Sequence, residues 1–463
     1  MKGILNSAQI EYVLQHLGQH IHLNNAIRDS FVFVAAGSDL SEYTNRIIFL
    51  LSEKPLQISD VKTIDEIQVL FPLSGENSYF SQKNGNIIFN HDILKSVFYL
   101  LSGFQELNHN SPDSLGRFSF KASVQAKLNI TDKPVVNYYF EEIIKGIEIF
   151  CKLHQIEFRR NSQFNNFAFF LTHDVDRIQY YNLNTFLYLF KTLFTKKQSS
   201  KKRSENLKEL LNTAYHILNV FDKKDLYWNF REISDLEKKL GVNSTFFFLP
   251  KDRRHVDSYY NLRDRKITEL IQFLKDENHE IGLHGTVRSS ESADAIKKIH
   301  SDFLSAADLS ITGIRQHRLM WNHPSTAINH CECGIAYDST LGYAEHEGFR
   351  NSYCHPFKIF DFKNNCTLPY WEIPLNVMDS TLFHYRKLSL NEAMLSAEKI
   401  RDEVIRFNGV FTLLWHNSYF NEKEVPGVTR FYASLLQKIM AEKPEVLTGL
   451  QIVQRLSDTG NNG

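Results

Sequence analysis

The chemistry of this chain begins at FAFFLTHDVDRI, residues 167 to 178, where an apolar run ends in His173, Asp174 and Asp176. A buried strand has no use for two carboxylates at its end. Side chains alternate across a strand, so Asp174 and Asp176 share one face and His173 takes the other. Two adjacent carboxylates repel unless a cation or a shared proton compensates, so the pair reads as a metal ligand beside a general base. A capping or turn pair is the plainer alternative for HDVD taken alone.

Three further strand ends carry similar groups. HEIGLHG, residues 279 to 285, closes with His284 beside a glycine; GIRQH places Arg315 and His317 on one face; FTLLWHN ends at His416. Four strand ends therefore each deliver a candidate ligand, base, acid or guanidinium, a coincidence that points to one site. His279 and His284 fall on opposite faces of a regular strand, and His279 is taken as structural.

The elements that must position these groups follow from the pattern. Strand-like runs at NFAFFLTHD, STFFFLP, EIGLHG, GIRQH, IAYDSTL, HPFKIFDF, YWEIPLNVM and GVFTLLWHN are mostly separated by segments long enough for a helix. Such alternation argues a parallel α/β architecture, for which a barrel is the natural closure, with chemistry at the strand ends. The expected division is an N-terminal α/β domain over 1–115, a connecting segment over 116–165 and the barrel over 166–463, with a helical insertion near 181–235. In that insertion Phe186, Leu189, Phe190, Leu193 and Phe194 fall on one helical face, followed by KKQSSKKR at 196–203. The segment 186–203 reads either as a hairpin packed on the barrel with a solvated basic loop or as a peripheral contact with an anionic membrane.

Composition narrows the classes. The 463 residues balance 53 basic against 53 acidic groups, so no global field draws in nucleic acid. Neither a signal-peptide core nor a membrane-spanning run is found, which makes a cytoplasmic protein the expectation, with the inner face of the membrane open to it. Five cysteines without metal-knuckle spacing are read as reduced and structural.

The order THDVD, STFFFLP, HEIGLHG, GIRQH, YDSTLGY, EIPL and LLWHN resembles the polysaccharide deacetylases of NodB homology, carbohydrate esterase family 4. The likeness is to a bacterial branch with an added N-terminal domain, which DILKSVFYLLSGFQEL and SLGRFSF resemble. It implies a distorted (β/α) barrel of NodB type, preceded by a small α/β domain and holding one divalent metal, with zinc expected. It also implies removal of an acetyl group from an N-acetylated saccharide. By that likeness Asp174 matches the catalytic base, Asp176 and His284 match metal ligands, Arg315 matches the arginine that steadies the base, and His416 matches the general acid.

One position departs from the pattern. The family's second metal histidine lies four residues after the first, and here that residue is Arg288. His317 can fill the gap, a water can, or the metal site is degraded; aspartate with two histidines is a sound zinc set. Trp321, Trp371 and Trp415 sit in or beside the motifs, where they either stack on a sugar or lie in the core. Asp338 either orients His416, binds a sugar hydroxyl or caps a turn. Two other function classes stay open: a carbohydrate-binding or regulatory protein on a degraded barrel, and a hydrolase of another carbon–nitrogen bond. Oligomeric state is not legible.

Overall fold

The computed structural model describes residues 3–107, 112–195, 200–218, 225–252, 257–307 and 310–460. The N-terminal part opens with helix α1 (Ser7–Leu17), whose capping box pairs Asn6 with Gln9, and a short α2 (Asn25–Arg28). Strands β1 (Phe31–Ala35) and β2 (Ile47–Leu51) follow, then a hairpin of β3 (Lys62–Ile64) and β4 (Ile67–Val69), then β5 (Phe80–Lys83) and β6 (Asn86–Phe89). The four-stranded sheet runs β1-β2-β6-β5. Helix α3 (Ile93–Leu101) is capped by Asp92, which accepts from the Lys95 amide, and it stops short of Gly103, which is left-handed at φ 68.

Two more helices, α4 (Val124–Leu128) and α5 (Val135–His154), complete this part. The apolar face of α5, with Val136, Phe140, Ile143 and Ile147, lies in the same buried cluster as Leu17, Phe89 and Phe98. The expected boundary at 115 therefore falls inside one core, and the stretch 116–165 contributes to that core instead of only bridging to the next. The cluster also takes in Trp321, Tyr353, Phe357 and Phe360 from beyond residue 300, so the N-terminal part and the larger sheet pack without a break.

The larger part is built on strand β7 (Ala168–Val175), every residue of which is buried. A strand covered on both faces must be apolar at both parities, which is why FAFFL shows no alternation. A helical insertion of α6 (Leu183–Thr195) and α7 (Ser200–Leu218) follows; positions 196–199 of the expected 186–203 contact segment lie outside the described residues. The chain then continues through α8 (Phe230–Lys239), β8 (Ser244–Phe248), α9 (Arg265–Asp276), β9 (Glu280–Gly285), α10 (Ala293–Ala307) and β10 (Gly313–Gln316). Next come α11 (Ser325–Glu332), β11 (Tyr337–Asp338), β12 (Phe357–Asp361), β13 (Cys366–Glu372) and β14 (Val377–Met378). The last elements are α12 (Leu390–Arg406), β15 (Val410–Leu414), α13 (Val428–Ala441), β16 (Glu445–Val446) and α14 (Gly449–Gly460).

The sheet order is β12-β13-β11-β10-β9-β8-β7-β15-β14, with β16 beside β7. All of its pairings are parallel except β12 with β13, and the sheet curls as a half-barrel with β12 and β14 at its edges. The run YWEIPLNVM, expected as one strand, divides between β13 and β14. Among the described residues no helix is long and apolar enough to cross a membrane.

Candidate metal centre and active site

The carboxyl ends of β7, β9, β10 and β15 meet at one point on the curled sheet, as open parallel sheets arrange their sites. Asp174 is the last residue but one of β7 and Asp176 is the first residue beyond it. His284 lies on β9 opposite Arg315 on β10. His317 follows β10 in a short turn, with Arg318 and Leu319 at φ 60 and 53, so it reaches the site from a turn and not from the strand face expected for it.

Two glycines make room for this constellation. A Cβ on Gly282 would stand 2.4 Å from the ring of Phe247, and the Arg315 guanidinium lies over that ring at 4.7 Å. A Cβ on Gly285, next to His284, would meet the Gln316 side chain at 2.3 Å. Without side chains at these positions the ring and the amide can pack directly beneath the strand ends.

Arg315 is buried and fully engaged. Its Nη1 donates to Asp174 Oδ1 at 3.0 Å and to Thr172 Oγ1 at 2.8 Å, and Nε and Nη2 donate to the backbone and hydroxyl oxygens of Ser339. Its own carbonyl lies 2.8 Å from His284 Nδ1. A carbonyl only accepts, so Nδ1 carries the proton and a neutral His284 turns a lone pair on Nε2 toward the carboxylates. That Nε2 stands 3.2 Å from Asp176 Oδ1 and 3.5 Å from Asp174 Oδ2.

The same logic holds at His317. Its Nδ1 lies 2.8 Å from Asp257 Oδ1, which fixes the proton there and leaves Nε2 facing Asp176 Oδ2 at 3.8 Å. One oxygen each or one nitrogen each from Asp176, His284 and His317 therefore converges, all within 4.8 Å of one another. A lone pair facing a carboxylate repels it unless a proton or a metal cation lies between them. Asp176 Oδ1 is buried and makes no hydrogen bond of acceptable geometry despite its short distance to His284, and Asp257 Oδ2 is likewise unpaired. The donor set, its tautomers and its orphaned oxygen all fit a divalent metal of the zinc kind.

Electrostatics divides the roles. Burial acts to raise the Asp176 carboxyl, but His317, His284 and His416 around it outweigh burial and hold it well below the usual carboxylate range. Burial acts to lower His284, while Asp174 and Asp176 raise it above the ordinary value. His416 is pushed up to about 10 against burial, chiefly by Asp379, whose Oδ1 lies 2.8 Å from its Nδ1. An imidazolium held by a carboxylate on one nitrogen presents the other as a proton donor, and His416 Nε2 lies 3.9 Å from Asp176 Oδ2.

Several expected residues stand elsewhere. Asp338 is buried against Thr340 and His330 and does not touch His416; the carboxylate that does is Asp379, just past β14. Trp415 is fully buried against Phe383, Phe431 and Tyr432, so its ring cannot stack on a sugar. Trp321 is buried in the N-terminal cluster, and half-buried Trp371 on β13 lies under the ammonium of Lys358 on β12. Arg288 is turned to Asp252 at 3.5 Å, and it is not among the three converging ligands. His173 bonds to Glu237 and the Trp415 carbonyl, and His279 to Ser234 and Ser244, so both serve the core.

Asp257 and Asp379 were missed from the sequence. Asp257 lies in a loop and Asp379 opens the short helical turn after β14, neither within a periodic run, and the signal for Asp379 is a carboxylate shortly after the EIPL run. A cavity of about 770 Å³ runs outward from Asp176 along α6, lined by Tyr180, Tyr188, Tyr227 and Tyr260. Aromatic rings therefore do border the site, but they are tyrosines of the insertion and its neighbours and not the expected tryptophans.

The fold and site together define a mixed α/β protein whose curled sheet carries, at its strand ends, three groups that could hold a metal ion. Residues 4–152 match a family of unknown function (DUF7033). No curated protein sequence matches this one. Solved structures that resemble it include Puue allantoinase, at 12% identity and a TM-score of 0.42 over 63% of this chain and 91% of that one. Another is a mutant of the peptidoglycan deacetylase PdaC from Bacillus subtilis, at 12% identity and 0.31 over 64% of this chain and 95% of that one. A third is a pseudoenzyme of the CE4 family from Bacillus anthracis, at 12% identity and 0.31 over 62% of this chain and 66% of that one. Identity and score are low in all three, and the assignment of chemistry rests on the side chains of this chain.

Proposed function

We propose that this protein is a metal-dependent hydrolase that removes the N-acetyl group of an amino sugar in a polysaccharide or its precursor. The observation that carries this reading is the convergence of Asp176, His284 and His317 with both histidines held in the ligating tautomer, next to a carboxylate that is free to take a proton. Asp176, His284 and His317 would hold the ion. When bound, a divalent metal supplies Lewis acidity toward an acyl oxygen and toward water.

The chain's own residues do the rest. Asp174 has one oxygen tied to Arg315, and its Oδ2 is directed toward the ligand triad, so it takes the proton of the attacking water at that atom. A carbon–oxygen bond forms to the acyl carbon and the carbon–nitrogen bond breaks. His416, charged through Asp379, delivers a proton from Nε2 to the departing nitrogen, which leaves as the amine of the sugar. Acetate and amine are the products, and water is the only co-reactant.

Arg288 does not oppose this reading, because it is turned to Asp252 and His317 stands in the group that could hold the ion. The test is metal content by elemental analysis together with acetate release from a panel of N-acetylated saccharides, for the parent, Asp176→Ala and His317→Ala. About one bound ion per chain, lost in both variants together with acetate release, is expected. A parent that takes up no ion after reconstitution would sink the enzyme and favour a binding protein on the same sheet. Bound metal with no acetate release across a broad panel would favour hydrolysis of another carbon–nitrogen bond.

A further inference from the structure

Large apolar side chains that stand exposed are unevenly placed. Of the nineteen among the described residues, ten lie between Leu183 and Leu218 in the α6–α7 pair. Scattered surface leucines need no explanation, but a cluster does. On α6, Leu183, Leu187, Phe190 and Phe194 recur at helical spacing, and Phe194 is 69% exposed. On α7, Leu207, Leu211 and Leu218 form a second stripe, with Leu218 80% exposed.

These stripes are not the buried faces of the two helices. Leu189 and Thr192 of α6 and Leu210 and Thr213 of α7 are buried, so each helix already has a packed face and carries an apolar one besides. The charge in the same stretch is equally uneven. Between residues 183 and 218 seven lysines and arginines stand against two glutamates, in a chain whose total charge is zero. Apolar stripes flanked by basic residues fit the interface of an anionic bilayer, where the rings and leucines enter the acyl boundary and the cations meet phosphate. A second copy of the chain would bring the same excess of positive charge and repel it.

The cavity ties this surface to the site. Its lining includes both Asp176 and Leu183, Tyr188 and Leu189 of α6. We propose that the α6–α7 pair docks on an anionic phospholipid membrane and that the substrate is a saccharide carried on a lipid, its sugar at the strand ends and its anchor running along α6. The choice of sugar chemistry rests on the deacetylase reading; the docking does not.

The test uses the full chain in sedimentation with vesicles of phosphatidylcholine alone and of equal parts phosphatidylcholine and phosphatidylglycerol. Uptake is expected only with phosphatidylglycerol present. Leu187→Ser with Phe194→Ser, and separately Arg203→Glu with Lys208→Glu, are each expected to lower it on the order of tenfold or more while metal content stays at the parent's level. Arg203, Lys208, Leu187 and Phe194 are exposed and line neither the cavity nor the ligand set. Absence of uptake, or uptake unchanged in both variants, would overturn the docking. A dimer in solution that the Leu187 and Phe194 variant disperses, with no vesicle uptake, would overturn it in favour of a second copy.

The substrate half is read by acetate release from N-acetylglucosaminyl polyprenyl diphosphate in the anionic vesicles against free N-acetylglucosamine. A higher kcat/KM for the anchored sugar that falls in either double variant supports the proposal, and equal values overturn it. If neither sugar releases acetate the deacetylase reading fails, and vesicle uptake still decides the docking by itself.

Discussion

Asp257 Oδ1 lies 2.8 Å from His317 Nδ1, and through that contact a loop residue decides which nitrogen of His317 faces Asp176. A carboxylate behind a ligating imidazole fixes its tautomer and raises its basicity. Asp257→Ala is therefore expected to weaken metal binding by about 10- to 100-fold, read by competition with a chelator. Asp257 also accepts from the Val287 amide, so the unfolding midpoint is measured beside it. Metal affinity equal to the parent's would remove Asp257 from the support of the site.

Arg315 and Asp174 form a buried pair with 3.0 Å between their atoms. Removing one partner leaves the other charge in a dry place. Arg315→Met is expected to cost about 3–5 kcal/mol of stability in denaturant unfolding. Arg315→Lys should recover part of this but not all, because an ammonium cannot reach Asp174, Thr172 and Ser339 as the guanidinium does. A lysine variant as stable and active as the parent would mean that the fork geometry is immaterial.

His416 is raised chiefly by Asp379, so a reaction that needs its proton is expected to keep its rate on the alkaline side well above the ordinary histidine value of 6.5. Asp379→Asn removes the largest cause of that shift, and the alkaline limb of kcat/KM should move toward the ordinary histidine value of 6.5. The stability sign follows the same shift. A folded-state value above the unfolded one means that the contribution is present below 6.5 and is lost as pH rises through about 10. An alkaline limb unmoved by Asp379→Asn would exclude His416 as the titrating acid.

A bound metal would compete with a proton at His284, whose ring Asp174 and Asp176 raise above its ordinary value against burial. Affinity for zinc is expected to fall as pH drops through that raised value, and titration calorimetry at several pH values reads it together with proton release. With zinc at 100 times its Kd the folded chain should gain about 2.7 kcal/mol, and a chelator should lower the unfolding midpoint accordingly. A midpoint insensitive to both zinc and chelator would argue against a bound ion.

The groups on strands were open to reading from the chain alone, for a local reason. A strand repeats every two residues, so an apolar run that ends in HDVD already separates His173 from the aspartates, and the core bonds of His173 to Glu237 and Trp415 follow that separation. The α/β alternation was legible on the same ground. Which side chains meet is a different question, because it depends on contacts between residues far apart in the chain. Asp379 in place of Asp338 beside His416, and Asp257 behind His317, are settled by where the short segments beyond the strand ends fall over the sheet, and those segments carry no period to read. Trp415 adjoins the motif in sequence, yet its ring turns into the core against Phe431 and Tyr432. The unity of α5 with α1 and α3 is likewise invisible until the helices pack, since burial is a property of the assembled layers and not of any one segment. The chain by itself determined its strand ends and the chemistry they carry; only the tertiary structure decided their partners, tautomers and neighbours, because those are set by long-range packing.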